Sequence, residues 1–200
     1  MIIAFIQAIF TCIFYFVTIP IYNGYLQLGY STIYTMMPVF SLVLDKDVSL
    51  EKVTEFPALY ITLQKGRALN FKTFMIWTWK SIFQAALIML VAITQFNESF
   101  TNIVSITFTT LILIELLNIV TEVWPRVKKT MVLTMLITLI IYIASIVIFR
   151  SYFEVSYIDW QFIAKVSILT LLCWLPLHLL KMILVRCDPN QEQKIMKGAS

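Results

Sequence analysis

The first 44 residues of the chain, Met1 to Leu44, contain no Asp, Glu, Lys, Arg or His. A helix or strand of a soluble domain leaves one face to water, and that face carries charged side chains. An uncharged run of this length therefore predicts elements surrounded by lipid or by other protein. The whole chain is 60% hydrophobic and 13% charged, against about 25% charged residues in soluble domains. These values exclude a soluble enzyme, a disordered chain and a nucleic-acid-binding module, and they favour a polytopic membrane protein.

Hydropathy and turn signals predict an all-α membrane protein with six transmembrane helices, because about 20 apolar residues cross a bilayer as a helix. Long apolar runs without alternation favour helices over barrel strands. Tyr22 and Tyr25 flank an Asn-Gly turn and are expected at the membrane–water boundary. The six spans are predicted at about 2–20, 26–44, 74–96, 101–121, 130–149 and 162–185.

The Lys and Arg residues of the connections lie mostly on one side of the predicted membrane. The connections 45–72 and 123–129 and the tail from Arg186 carry five, three and three of them. On the other side, two connections carry none and the third carries Arg150 alone. The positive-inside rule then places both termini in the cytosol. Lys80 and Lys165, near span ends, are predicted to reach the interface as anchors.

No catalytic residue and no metal site is predicted from the sequence. His178 is the one histidine and has no second imidazole to share a metal with, so we interpret it as a packed or interfacial side chain. The three cysteines are scattered and predict neither a disulfide framework nor a metal-binding pattern. A glycosylation sequon at Asn97 lies in a short predicted outer turn, for which an unmodified turn is the alternative.

The first two predicted spans hold the most informative polar residues. Pro38 interrupts the second span and frees a carbonyl one turn earlier, which a bilayer tolerates where the break is buried in protein or lines a polar cavity. Neutral hydroxyls and an amide without carboxylates suit a headgroup that carries its own charges, whereas a cation path would need anionic ligands. Hydrogen bonding between packed helices is the alternative. The lipid-path candidates are Gln7, Thr11, Ser31, Thr32, Thr35 and Pro38.

Charged residues elsewhere give two further hypotheses. Glu115 is an acid inside the fourth predicted span, which indicates either a functional site or a partner on a neighbouring helix. Acidic residues beside the membrane on the positive side favour a surface that docks a larger cytosolic body, with a solvated charge run as the alternative. The coupling candidates are Asp45, Asp47, Lys65 and Arg67.

The run Gly29 to Val48, with Tyr-Thr-Met-Met-Pro-Val-Phe at its centre, resembles the sixth helix of the type IV P-type ATPases, the phospholipid flippases. Lys65-Gly66-Arg67 and Ile76-Trp77 resemble the following loop and the seventh helix, and the combination looks like the neomycin-resistance-related subclass of Golgi and endosomal membranes. The dense match covers about 7–77, and the six spans would be helices five to ten of a ten-helix pump.

The resemblance implies four regions: 1–44 as two helices of the lipid-path half, 45–73 as a cytosolic loop, 74–185 as four helices of a support half, and 186–200 as a cytosolic tail. It also implies ATP-driven movement of phosphatidylserine or phosphatidylethanolamine to the cytosolic leaflet, with ATP and Mg bound elsewhere in the complete pump and no cofactor in this chain.

The family's Asp-Lys-Thr-Gly-Thr phosphorylation motif is absent from the 200 residues, as are the nucleotide and actuator domains. The expectation is therefore a chain that cannot pump alone and whose partners are phospholipid, membrane and the missing N-terminal half of the pump. A self-contained six-span transporter or channel and a non-catalytic membrane scaffold are the alternatives.

Overall fold

The computed structural model describes residues 1–16, 19–44, 70–95, 100–123, 127–149 and 160–187. Within these ranges the regular structure is entirely helical. In chain order the elements are α1 (Ile2–Ile13), α2 (Gly24–Gly29), a π-helical turn (Tyr30–Tyr34), α3 (Met36–Val43), α4 (Phe71–Gln95), α5 (Phe100–Val123), α6 (Lys129–Ile148) and α7 (Trp160–Cys187).

Helices α4 to α7 are each long and apolar enough to cross a membrane. Each begins and ends within about three residues of the third to sixth predicted spans, because long runs with no competing polar stretch leave helix as the structure that satisfies their backbone groups. The all-α membrane class is confirmed.

Helix α5 is the central helix of the bundle. In its apolar segment 67% of the residues are buried, against 22% to 33% in α4, α6 and α7. The buried Thr107 hydroxyl is satisfied within the helix, since it donates to the Ile103 carbonyl at 2.7 Å. Small side chains whose polar atoms bond within the helix let neighbouring helices pack closely against α5.

An aromatic cluster joins the first part of the chain to this central helix. The ring of Phe108, 1% exposed, lies edge-on to Tyr22, Tyr30 and Tyr34, with ring centroids 5.3, 6.5 and 6.4 Å away. Tyr34 and Tyr142 of α6 also pack perpendicular to each other at 5.3 Å. Edge-to-face packing is the favoured arrangement of such rings, so this cluster fixes the π-helical turn against α5 and α6.

The first predicted span is wrong in its extent. Helix α1 ends at Ile13, and Tyr15 and Phe16 adopt left-handed backbone conformations with φ of 54° and 61°. The chain then returns along α1, where the Ile21 N–H donates to the Gln7 side-chain oxygen at 2.9 Å. Hydropathy does not register that a glutamine inside the apolar run can satisfy the backbone of a returning segment.

The two tyrosines that flank the Asn-Gly turn differ in burial. Tyr22 is fully buried against Phe108, whereas Tyr25 is 70% exposed. The return of the chain along α1 carries Tyr22 into the aromatic cluster, and the position of both tyrosines at the membrane–water boundary stays a prediction.

The second predicted span is helical from Gly24 to Val43 and changes geometry before its proline. In the π-helical turn, the Thr35 N–H donates to the Tyr30 carbonyl five residues earlier, at 3.1 Å. Such turns are single-turn insertions that recur at functional sites. With α1 only 12 residues long, shorter than the roughly 20 residues that a straight span needs, the total of six spans stays a prediction.

Candidate functional site

The π-helical turn separates an inner aromatic side from an outer hydroxyl side. Tyr30 and Tyr34 are buried in the aromatic cluster, whereas Ser31 and Thr32 are exposed and Thr35 is partly buried. Because Tyr30 and Tyr34 are held against α5 and α6, the hydroxyls of Ser31 and Thr32 lie on the side that the described chain does not cover.

Each hydroxyl of this group donates to a carbonyl of its own helix. Ser31 donates to the Gln27 and Leu28 carbonyls at 3.2 and 3.1 Å, and Thr32 donates to the Leu28 carbonyl at 2.7 Å. Thr35 donates to the Tyr30 and Ser31 carbonyls at 2.9 and 3.1 Å. The hydroxyl hydrogens therefore bond to carbonyls of α2 and of the π-helical turn.

Gln7 and Thr11 lie one turn apart on α1 and bond to each other. The Gln7 amide donates to the Thr11 hydroxyl at 3.4 Å, and that hydroxyl donates to the Gln7 carbonyl at 2.9 Å. Among the described residues no hydrogen bond joins this pair to Ser31, Thr32 or Thr35, so the structure assigns Gln7 first to the chain reversal at Ile21.

Pro38, the remaining lipid-path candidate, is buried.

A second polar region lies between α4, α5 and α7, around a cavity of about 370 Å³. Glu122 of α5 forms ion pairs with Lys80 of α4 at 3.3 Å and with Lys181 of α7 at 2.8 Å. Lys181 also donates to the Thr121 carbonyl at 2.7 Å, near the end of α5 where carbonyls lack helical partners. Lys80, predicted as an interfacial anchor, therefore also links α4 to α5.

Glu115, predicted as an intramembrane acid, lines the same cavity with Asn118 one turn further on. On α7, His178 stacks on Trp174 with ring centroids 4.4 Å apart, and the Trp174 N–H donates to the Thr121 hydroxyl at 2.8 Å. The prediction of a packed histidine agrees with this stacking.

Two residues of this polar region, Glu122 and Gln84, were not among the residues predicted from the sequence. Glu115, Asn118 and Glu122 follow one another by three and four residues, which places them on one face of α5. Lys80 and Gln84 are likewise four residues apart on α4. Reading these polar stripes at helical spacing would have indicated a shared interface.

The amide pair at this interface gives a direct test of the packing. Gln84 and Asn118 donate to each other's carbonyl oxygen at 3.1 and 3.0 Å. Gln84→Leu is expected to reduce stability by about 1–2 kcal/mol, because it leaves the partly buried Asn118 amide without its side-chain partner. The double variant Gln84→Leu/Asn118→Leu should recover most of that loss when unfolding is followed in detergent micelles. A double variant as unstable as the sum of the two single variants would contradict the pairing.

The coupling candidates Asp45, Asp47, Lys65 and Arg67, the sequon at Asn97 and the tail 188–200 lie outside the described residues.

Comparison with known proteins decides the family. A sequence model of the family described as phospholipid-translocating P-type ATPase C-terminal matches residues 1–190. The chain belongs to this family. As a flippase C-terminal region, it agrees with the resemblance seen at Gly29–Val48.

Full-length relatives of this flippase C-terminal region are phospholipid-transporting ATPases by name. It is 44% identical over 198 residues to the probable phospholipid-transporting ATPase IIB of Danio rerio, covering 98% of this chain and 17% of the relative. It is 39% identical over 196 residues to the probable phospholipid-transporting ATPase tat-5 of Caenorhabditis elegans, covering 98% and 18%. It is 34% identical over 204 residues to the phospholipid-transporting ATPase NEO1 of Saccharomyces cerevisiae, covering 100% and 18%. The chain therefore spans under a fifth of these relatives.

Proposed function

We propose that this chain is the C-terminal membrane region of an ATP-driven pump that moves an aminophospholipid, phosphatidylserine or phosphatidylethanolamine, to the cytosolic leaflet. The family match over residues 1–190 carries the proposal. ATP and Mg act in the parts of the pump outside these 200 residues, so this chain alone does not pump. The names of the relatives support a phospholipid substrate, and Golgi or endosomal membranes are the proposed location.

Within this proposal the two parts of the chain have different roles. Residues 1–44 contribute one wall of the lipid path, with Ser31, Thr32 and Thr35 on the wall and Pro38 and the π-helical turn shaping it. Gln7 and Thr11 stabilise the chain reversal at the base of that wall. The exposure of Ser31 and Thr32 supports this assignment, because a wall of the lipid path presents polar side chains on a face that the described chain leaves uncovered.

Residues 74–185 act as the support half of the pump. The ion pairs of Glu122 tie α4, α5 and α7 into one unit, and the aromatic cluster around Phe108 holds the path wall against α5 and α6. Glu115 lies within this support half rather than on the wall. Between the halves, the loop 45–73 meets the phosphorylation domain through Asp45, Asp47, Lys65 and Arg67.

A chimera tests the function. The preceding segments of yeast NEO1 are joined to residues 1–200, and the purified chimera is placed in phosphatidylcholine vesicles with acyl-labelled fluorescent phosphatidylethanolamine. Molecules whose cytosolic domains face outward receive Mg-ATP. Transport to the cytosolic leaflet then increases the fraction of probe that dithionite bleaches, and we expect this increase only with ATP.

Two controls define the outcome. Asparagine in place of the phosphorylated aspartate of the NEO1 part should abolish the increase. No ATP-dependent increase in a chimera that still forms the phosphoenzyme would contradict the proposal, whereas probe movement by the 200-residue chain alone without ATP would support a self-contained transporter instead.

A further inference from the structure

We propose, on the basis of the proposed pump function, that Gln7 is a positioning residue whose bond to Ile21 controls the length of α1 during transport. With the Ile21 N–H bound to Gln7, α1 ends at Ile13 and the chain reverses. When this hydrogen bond opens, Tyr15 and Phe16 return to right-handed helical geometry and α1 becomes longer.

The end of α1 has no local cause in the sequence. Helices commonly end at Gly or Asn, and proline stops them. The first such residue after Ile13 is Pro20, so the intervening residues favour a longer helix. The 12 residues of α1 extend about 18 Å, against about 30 Å for the hydrocarbon core of a bilayer. Extension as far as Pro20 would add about 9 Å and would bring α1 close to the length of a span.

Backbone strain marks the place where α1 stops. Tyr15 and Phe16 have φ of 54° and 61°, in a left-handed region that residues other than Gly, Asn and Asp rarely adopt. Both residues are exposed, so packing of their rings on the described chain does little to hold this conformation. Strained residues persist where the surrounding structure imposes them, and they recur in switch regions.

The contacts that impose the reversal lie at Ile21 and Tyr22. The buried Ile21 donates its N–H to the Gln7 side-chain oxygen at 2.9 Å, and the Gln7 amide donates to the Thr11 hydroxyl at 3.4 Å. The ring of Tyr22 lies 5.3 Å from that of Phe108. A buried N–H without an acceptor is costly, so loss of the Gln7 oxygen removes a contact that balances the strain.

The length of α1 affects the lipid path through Tyr22. Tyr22, Tyr30 and Tyr34 all pack on Phe108, and the last two belong to the π-helical turn. Withdrawal of Tyr22 removes a ring from this cluster and loosens the turn that carries the path wall. An element with two packed arrangements converts the loss of one bond into the movement of a whole segment, and α1 with its reversal is such an element.

The test measures the accessibility of residue 21 in the chimera described above, after replacement of its native cysteines by alanine. Ile21→Cys carries a thiol that is buried in the reversed state and reaches water when α1 becomes longer, and N-ethylmaleimide labels it in vesicles. Gln7→Met removes the acceptor and should raise the labelling rate roughly ten-fold. Tyr15→Gly/Phe16→Gly relieves the strain and should lower the labelling rate at least about three-fold.

Opposite shifts separate a switch from a loss of stability, because a variant that only destabilises the fold raises the labelling rate. Both Gln7→Met and Tyr15→Gly/Phe16→Gly should slow ATP-dependent transport by about five-fold, since the cycle passes through both lengths of α1. Their combination should label at an intermediate rate and recover most of the transport. A purely structural role of Gln7 gives no such recovery.

Two matched variants define the cause. Tyr15→Ala/Phe16→Ala removes the same rings but keeps a Cβ at each strained position, so it should not lower the labelling rate. Gln7→Glu keeps a side-chain oxygen that accepts from Ile21 and should label no faster than the unsubstituted chimera.

The outcomes distinguish the two proposals. No ATP-dependent transport by the unsubstituted chimera removes the pump function, whereas the labelling rates still decide the switch. Unchanged labelling in Gln7→Met, or faster labelling in Tyr15→Gly/Phe16→Gly, overturns the switch. Labelling that shifts as expected with unchanged transport in both variants overturns the role of Gln7 in transport and leaves the pump function standing.

Discussion

Phe108→Ala is expected to lower the free energy of unfolding by about 3–5 kcal/mol, the range for removing a large ring from a close-packed core. The Phe108 ring is 1% exposed and contacts Tyr22, Tyr30 and Tyr34. Its loss leaves a cavity that these rings cannot fill without giving up their edge-to-face contacts. Unfolding in mixed micelles of mild detergent and dodecyl sulfate, followed by tryptophan fluorescence, measures the change.

Phe74→Ala is the matched control for the ring, because Phe74 is 51% exposed on α4. It should change stability by less than about 1 kcal/mol, since in the membrane its ring faces lipid, which is as apolar as the core it would leave. Equal effects of the two substitutions would refute a central packing role for Phe108. In the complete pump, Phe108→Ala should also impair lipid transport, because it loosens the π-helical turn.

Glu122→Gln is expected to cost about 1–2 kcal/mol, since it leaves Lys80 and Lys181 facing each other without the carboxylate between them. The three side chains are 34%, 31% and 26% exposed, so solvent screening keeps the cost below that of a fully buried pair. High salt should reduce the difference between the variant and the unsubstituted protein.

A double-mutant cycle with Lys181→Met isolates the stronger pair. Glu122→Gln/Lys181→Met should be more stable than the sum of the single effects predicts, because the second change removes an uncompensated charge. Lys129→Met, at an exposed position at the start of α6, serves as the control and should show additive effects with Glu122→Gln. Strict additivity in the Lys181 cycle as well would mean that the 2.8 Å contact contributes nothing to stability.

Sequence patterns predicted the long helices closely and the first span poorly, for one physical reason. The residues of helix α6 all favour a membrane-spanning helix, so hydropathy determines where this helix begins and ends. In the first span the outcome depends on Gln7, which accepts the Ile21 N–H and allows the chain to reverse. That bond joins residues 14 positions apart in the chain, a separation that no local window includes.

For the polar residues, too, the sequence predicted some features and left others to the tertiary structure. Ser31, Thr32 and Thr35 were recognised as candidates from their type and spacing. That the Thr35 hydroxyl reaches the Tyr30 carbonyl, five residues earlier, depends on the π-helical turn. The role of Glu122 was not predicted, because its partners, Lys80 and Lys181, lie on two other helices.

By itself, the sequence determined that this protein is an all-α membrane protein of the phospholipid-translocating ATPase family, because an uncharged run of 44 residues and a long unusual motif admit few other interpretations. Tertiary structure alone decided which side of the second span faces inward. Packing the rings of Tyr30 and Tyr34 on Phe108 stabilises the fold more than burying the hydroxyls of Ser31 and Thr32 would. Those hydroxyls already bond within their own helix. The polar side is therefore the one left open.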